Sequence, residues 1–319
     1  MLTLGADEIR TQIRTQVDLV VVPVTVKDSK GKLVTGLTKE DFTIREDKKL
    51  QSITNFSIDP QPLSAAIVVD DGMNGNQLRR LYPRFSPSAF TTLGAGFTSN
   101  DLMVAFRYDG HVYRLSAFTS DPDAIEKSFK SVQDIAVTRP DETADMLGEK
   151  GPRALRSVIN ILGSTMPSER PTYGALNDAL YESVTALQDG QADRRKIVIL
   201  ISDGKIAGPN MHGFQQTVDA LLKEQIQVYG VAARYATFGS FGALTSYAAA
   251  TGGDVYPGTS TDSIEKSFLR ITEQARNQYV LGYVSTNHAE RPTFRNIEVT
   301  TRSRNYTVIH RRGYTQQTQ

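Results

Sequence analysis

Leu63-Ser64-Ala65-Ala66-Ile67-Val68-Val69-Asp70-Asp71-Gly72-Met73-Asn74-Gly75 is the stretch that decides the fold. Its first half is an unbroken, mostly apolar run of strand length. Such a run is buried on both faces, as in the middle of a parallel sheet. Acidic, Gly and Asn residues then turn the chain, and a helix-like segment follows. In an open α/β sheet, ligands collect at the carboxyl ends of the strands. Asp70, Asp71 and Asn74 are therefore expected at the mouth of the sheet. Lys196-Ile197-Val198-Ile199-Leu200-Ile201-Ser202-Asp203-Gly204 repeats the design of apolar strand, Asp and Gly. Side by side, the two strands bring Asp70 and Asp203 together, and oxygen-only ligands of this kind suit a hard divalent cation such as Mg²⁺ or Ca²⁺.

Outward from these two runs the same grammar continues. Apolar strands are expected at 102–108, 226–232 and 255–256, and Asp109-Gly110 turns the chain back into a short strand at 112–115. Between them lie helical patterns. Asp121 as N-cap and Pro122 at the first helical position open one helix. Leu176, Leu180, Val184 and Leu187 line one face of another. Further helices are expected at 86–97, 154–162, 213–224, 239–250 and 261–275. This alternation predicts a doubly wound, mostly parallel sheet with one antiparallel edge, a Rossmann-like α/β arrangement.

The two ends of the chain read differently. Strands are expected at 17–26, 33–37, 42–47 and 51–56, and again at 278–284, 295–301 and 306–311, with tight turns between them. The first group is too short to bury a core alone. The expected organisation is a polar lead-in at 1–16, a small β-sandwich built from 17–58 and 277–315, and an α/β domain at 62–276 inserted in it.

Composition narrows the function. Of the 319 residues 39% are hydrophobic and 22% charged, ordinary for a soluble globular protein. A formal net charge of +1 gives no reason to expect nucleic acid or an anionic membrane as a partner. No apolar run approaches the roughly 20 residues of a membrane helix. Residues 1–16 are too polar for a secretory signal. Cysteine is absent, which excludes disulfides, thiolate metal sites and Cys nucleophiles. Four scattered histidines, His111, His212, His288 and His310, argue against a His-rich zinc site.

The chain resembles von Willebrand factor type A (VWA) domain proteins, and more narrowly the VWA-related family of Acidobacteria. The narrower likeness rests on the segment from Val24 to Phe42, on the Glu46-Asp47 turn, on Tyr279-Val280-Leu281-Gly282-Tyr283, and on Arg311-Arg312-Gly313-Tyr314. It covers nearly the whole chain. The resemblance implies a metal-ion-dependent adhesion site of the form Asp-x-Ser-x-Ser, with a Thr from a second loop and an Asp from a third. Asp70 matches the first Asp and Asp203 the last. Gly72 and Asn74 stand where the serines belong, and Thr172 is the Thr, with Gly174 as the alternative position. The implied metal set is Asp70, Asn74, Thr172 and Asp203 around Mg²⁺, or Mn²⁺ or Ca²⁺, in a cage short of at least one hydroxyl. The implied function is non-enzymatic protein binding through a partner's acidic side chain, outside the cell or in its envelope.

Other readings compete. Asp70-Asp71-Gly72 also resembles the nucleophile loop of haloacid-dehalogenase-like phosphatases, but its second carboxylate falls one residue early. An EF-hand loop starting at Asp70 fails at Gly72 and Leu81. A metal-assisted phosphohydrolase and a metal-free structural scaffold of the envelope remain as alternatives. Arg194-Arg195-Lys196 reads as a solvated lead-in to a strand. Arg302, Arg304, Arg311 and Arg312 form a candidate anion patch offset by nearby acids. Tyr235, Phe238 and Phe241 are candidates for a partner surface or for plain packing. Gly252-Gly253 reads as a helix stop.

Overall fold

The computed structural model describes residues 19–70, 96–108, 110–137, 175–188, 193–204, 206, 210–232, 242–287 and 289–317. The chain begins with β1 (Leu19–Lys27), a single 3-10 turn at Lys39–Asp41, β2 (Phe42–Glu46), β3 (Lys49–Gln51) and β4 (Ile53–Ser57). The central segment supplies β5 (Leu63–Asp70), β6 (Leu102–Tyr108), β7 (Val112–Arg114), α1 (Pro122–Val137), α2 (Leu176–Gln188), β8 (Arg195–Ser202) and α3 (Phe214–Lys223). It continues through β9 (Gln227–Ala232), α4 (Ala243–Thr251), β10 (Val255–Pro257) and α5 (Thr261–Arg276). The chain closes with β11 (Tyr279–Val284), β12 (Thr293–Thr301), β13 (Thr307–His310) and β14 (Gly313–Gln316).

β5 to β10 form one six-stranded sheet in the order β10-β9-β8-β5-β6-β7. All neighbours are parallel except β7, which pairs antiparallel with β6. Numbered within the sheet this is the order 3-2-1-4-5-6 of a doubly wound fold, with its switch point between β5 and β8. This is the doubly wound, mostly parallel sheet with one antiparallel edge that the sequence predicts. Side chains of β5 alternate between two cores. Leu63, Ala65, Ile67 and Val69 face α1 and α5 through Ile125, Phe129, Ile264, Phe268 and Ile271. Ala66 and Val68 face α2, α3 and α4 through Leu176, Leu180, Val218, Leu221 and Leu244. Both faces are covered, which is why the run at 63–69 carries no charge.

The two chain ends form two four-stranded antiparallel sheets, β13-β1-β11-β4 and β14-β12-β2-β3. Val20, Val22, Val24, Leu281 and Tyr283 of the first join Phe42, Ile44, Ile297 and Val299 of the second in one apolar cluster. These sheets tie to the amino-terminal side of the parallel sheet. Lys27 Nζ donates to Asp254 at 2.5 Å and to the Tyr256 hydroxyl at 2.9 Å, and Gln278 Nε2 donates to Thr25 at 3.0 Å. The Arg312 N–H reaches the Ala250 carbonyl at 3.2 Å.

Several sequence expectations need correction. The segment 33–37 contributes a single bridge between Lys27 and Leu33 rather than a strand. β14 was not anticipated. A Cβ at Gly313 would lie 2.2 Å from the Arg295 carbonyl, so glycine there allows the chain to turn back against β12. Arg195 is not solvated: it is 6% exposed, and its guanidinium donates to Ala275, near the carboxyl end of α5, and to Gln61. Burial lowers its pKa to about 10. Arg311 belongs to no anion patch, being buried beside the Tyr314 ring, with its centroid 5.8 Å away. Gly252 does stop α4 in the left-handed conformation. The expected helices at 86–97 and 154–162 fall wholly or mostly outside the described residues.

Candidate functional site

Three strands end together at the switch point, and their registers place three polar side chains in one row. Asp70 ends β5 opposite Tyr108, which ends β6. Val69 lies opposite Ile201, so Asp70 is level with Ser202, which ends β8. Strand alternation puts all three on the α2 face, since Ala66 and Val68, Val104 and Phe106, and Val198 and Leu200 line that core below them. Asp203 follows directly. The carboxyl mouth of the sheet thus holds two carboxylates, 6% and 7% exposed, beside two buried hydroxyls.

The hydrogen bonds have one consistent direction. Ser202 Oγ donates to Asp70 Oδ2 at 2.7 Å and accepts from the Gly204 N–H at 3.1 Å and the Tyr108 hydroxyl at 3.2 Å. Burial raises the Tyr108 pKa well above the ordinary phenol range, and the nearby charges of Asp70 and Asp203 push it further. Tyr108 therefore remains a protonated donor. Gly204 has φ +77, a region most residues avoid, and its carbonyl accepts the Ala243 N–H at the start of α4 at 2.9 Å.

A second network braces the rim. The Asp178 carboxylate near the start of α2 accepts the N–H groups of Met211 and His212, both at 2.9 Å, and lies 2.8 Å from His212 Nδ1. Burial opposes ionisation of Asp178, but these donors hold its pKa below the ordinary value. The His212 ring stacks on Tyr181 at 3.7 Å, and Asn177 donates to the His212 carbonyl while accepting from the buried Tyr247 hydroxyl. The segment at 210–213 is thereby fastened to α2. Next to it lies a cleft of about 690 Å³ lined by residues that include His111, Arg114, Glu182 and Asn210. Tyr113, Ile206 and Met211 are exposed apolar side chains around this end of the molecule, Met211 by 89%.

Of the residues expected from the sequence, Asp70 and Asp203 are brought to the mouth as anticipated. Asn74 and Thr172 lie outside the described residues, as do Asp71, Gly72, Gly174, Tyr235, Phe238 and Phe241. Tyr108 and Ser202 are additions to the site that only the strand registers reveal. Each is the last residue of a strand, two positions beyond an apolar residue of the same face. His212 was set aside as scattered, and only the fold brings it to Asp178.

Among the described residues no group of three or more His, Cys, Asp or Glu side chains is placed to hold a metal. The donors at the mouth are instead two carboxylates. A Mg²⁺ ion binds through one or two carboxylates while keeping several waters, so this donor set fits a hard cation. It does not fit a structural zinc site, which takes mainly Cys and His.

No family model matches the chain, and no curated protein sequence matches it. Solved structures do. An aerotolerance-related membrane protein from Bacteroides fragilis is similar at 16% identity and TM-score 0.39, covering 66% of this chain and 98% of its own. Proximal thread matrix protein 1 from the mussel byssus, in a form with a zinc-occupied MIDAS motif, is similar at 14% identity and TM-score 0.44, covering 72% of this chain and 49% of its own. The vWF domain of the type V pili tip protein Mfa5 from Porphyromonas gingivalis is similar at 17% identity and TM-score 0.28, covering 45% of this chain and 38% of its own. At identities and TM-scores this low, the chemistry of the site rests on this chain's own residues.

Proposed function

We propose that the chain is a non-enzymatic protein-binding module whose contact point is a divalent cation at the mouth of the parallel sheet. The observation that carries this reading is the row Tyr108, Asp70, Ser202 at the switch point, with Asp203 next to it. Two carboxylates at one strand mouth suit a hard cation, which binds through one or two acids and keeps several waters. In this reading Asp70 and Asp203 hold Mg²⁺ or Mn²⁺, with Ca²⁺ as the softer-geometry alternative. Asn74 and Thr172 complete the site in place of a full set of motif hydroxyls. The cation supplies an open coordination position, and a partner's Asp or Glu side chain fills it. The exposed Met211, Ile206 and Tyr113 give that partner apolar surface at the rim.

The rest of the molecule is a mount for this end. The proposed division is an α/β domain at 62–276 and a β-sandwich made from 17–58 and 277–315. The ties at Lys27, Asp254 and Gln278 hold the sandwich at the amino side, away from the mouth. An extracellular or envelope location follows from the family resemblance and is consistent with a chain free of cysteine. Among the described residues no helix is long and apolar enough to cross a membrane.

The phosphohydrolase alternative has less support. Hydrolysis needs a base or nucleophile aimed at the mouth, and the Asp178–His212 pair is occupied in bracing a loop. Incubation with generic phosphate esters and Mg²⁺ separates the two readings. A binding module gives no turnover above the Asp203→Asn variant, whereas turnover lost in that variant would make the chain an enzyme.

A further inference from the structure

The sequence poses a difficulty for the reading above. The expected motif supplies serine hydroxyls in the loop after β5, and this chain has Gly72 and Asn74 there. The structure supplies hydroxyls to the same carboxylate from other strands. Ser202 Oγ comes from β8 and the Tyr108 hydroxyl from β6.

We propose that Tyr108 and Ser202 are positioning residues that hold the Asp70 carboxylate for the cation, taking over the orienting work of the absent loop hydroxyls. The inference rests on the reading of the mouth as a cation site and names the residues that set its affinity. The Tyr108 hydroxyl also lies within hydrogen-bond reach of the Asp70 carboxylate itself. A serine hydroxyl has one hydrogen and two lone pairs. The Gly204 N–H and the Tyr108 hydroxyl both approach Ser202 Oγ as donors, at 3.1 and 3.2 Å. The Ser202 hydrogen is then left to point at Asp70 Oδ2, 2.7 Å away. One oxygen so joins both arms of the site: the carboxylate that ends β5, and the peptide immediately after Asp203. Tyr108 and Ser202 are 2% and 0% exposed, so water does not compete for these bonds. Neither hydroxyl needs to touch the cation. Each acts by fixing a ligand that does, and partners of this kind typically change metal affinity by about 10- to 100-fold when removed.

Other features carry less. The cleft beside α2 offers no argument for one occupant. The buried Glu46 cluster among the antiparallel sheets is fully satisfied by its own neighbours.

The test is Mn²⁺ affinity, read by the loss of the free-ion electron paramagnetic resonance signal, for the full chain and three variants. Tyr108→Phe keeps the ring and removes only the hydroxyl. Ser202→Ala removes the central oxygen, and Ser202→Thr restores it. The expected result is that the unmodified chain binds Mn²⁺, that Tyr108→Phe and Ser202→Ala bind about 10- to 100-fold more weakly, and that Ser202→Thr recovers most of the loss. Far-ultraviolet circular dichroism establishes that each variant is folded. If folded Tyr108→Phe and Ser202→Ala bind Mn²⁺ as the unmodified chain does, the positioning role is wrong while the cation site stands. If the unmodified chain itself binds no Mn²⁺, both proposals fall together.

Discussion

The molecule buries a carboxylate against tyrosine and serine hydroxyls in two places, and the difference between them separates scaffold from site. Glu46 ends β2 among the antiparallel sheets and is fully buried. It accepts from Ser285 at 2.6 Å, Tyr283 and Asn287 at 2.7 Å, and Tyr314 at 3.0 Å. Those donors come from strands and loops far along the chain, so the carboxylate pins the carboxyl-terminal strands to β2. Asp70 also meets a serine and a tyrosine hydroxyl, but it sits at the end of a strand, at a switch point, with Asp203 directly after the facing strand. A carboxylate fully enclosed by neutral donors is satisfied by the protein itself. Asp70 and Asp203 lie instead at the carboxyl ends of strands in an open parallel sheet, where such folds take their ligands.

Removing each acid with cations chelated separates the two regions by the largest expected margin. Glu46→Ala strands several buried donors, each costing about 1–3 kcal/mol, so a loss of about 3 kcal/mol or more is expected in urea unfolding. Asp203→Asn under the same conditions is expected to change stability by less than about 1 kcal/mol, because the amide keeps the shape of the side chain and one acceptor oxygen. Equal costs for the two would erase the distinction between scaffold and site. A smaller effect is expected from Tyr283→Phe, which removes one donor of four, at about 1 kcal/mol. Lys27→Met at the junction of the sheets is expected to cost a similar amount, about 1 kcal/mol, since Lys27 is buried and gives up a bond to the Tyr256 hydroxyl as well as the pair with the part-exposed Asp254.

Alkali offers a further check. Burial raises the pKa values of Tyr108, Tyr229, Tyr247, Tyr256, Tyr283 and Tyr314 above the ordinary value near 10. The folded state therefore holds phenolic protons that the unfolded chain releases. Stability is fully present below pH 10 and falls as the pH rises further. Tyrosinate absorbance of this group is expected to appear only together with loss of the native circular dichroism signal. Smooth ionisation of all tyrosines without unfolding would show that these rings are not shut in. At the acid end, Asp101 works the other way. Burial opposes its charge, but Arg276 and the N–H groups of Thr98 and Leu63 keep its pKa below the ordinary value. Its contribution is present above the unfolded carboxylate range near 4 and lost on acidification below it.

Much of the fold was legible because strand burial leaves a plain mark. Runs such as 63–69 and 197–201 are buried throughout, and each leads to an Asp at the end of its strand. The antiparallel edge at β7 was legible from Asp109-Gly110. β14 was not, because Gly313-Tyr314-Thr315-Gln316 is short and polar and becomes a strand only through pairing with β12. Arg195 looked like surface because charge runs usually are, and only the carboxyl end of α5 explains its burial. Asp70 and Asp203 could be paired from sequence because each ends a run of the same design. Tyr108 and Ser202 required the register of three strands, which a single sequence does not state. The Asp178–His212 pair spans 34 residues and has no local pattern at all.

Binding of a divalent cation by Asp70 and Asp203 at the mouth of the sheet is read by thermal unfolding in EDTA and then with Mg²⁺, Mn²⁺ and Ca²⁺, for the unmodified chain and for Asp70→Ala/Asp203→Ala. A ligand that binds only the folded state at 100 times its dissociation constant adds about 2.7 kcal/mol. The expected result is a rise in the midpoint with Mg²⁺ or Mn²⁺ that saturates and is absent from the double variant. The same midpoint in EDTA and in every cation would contradict it.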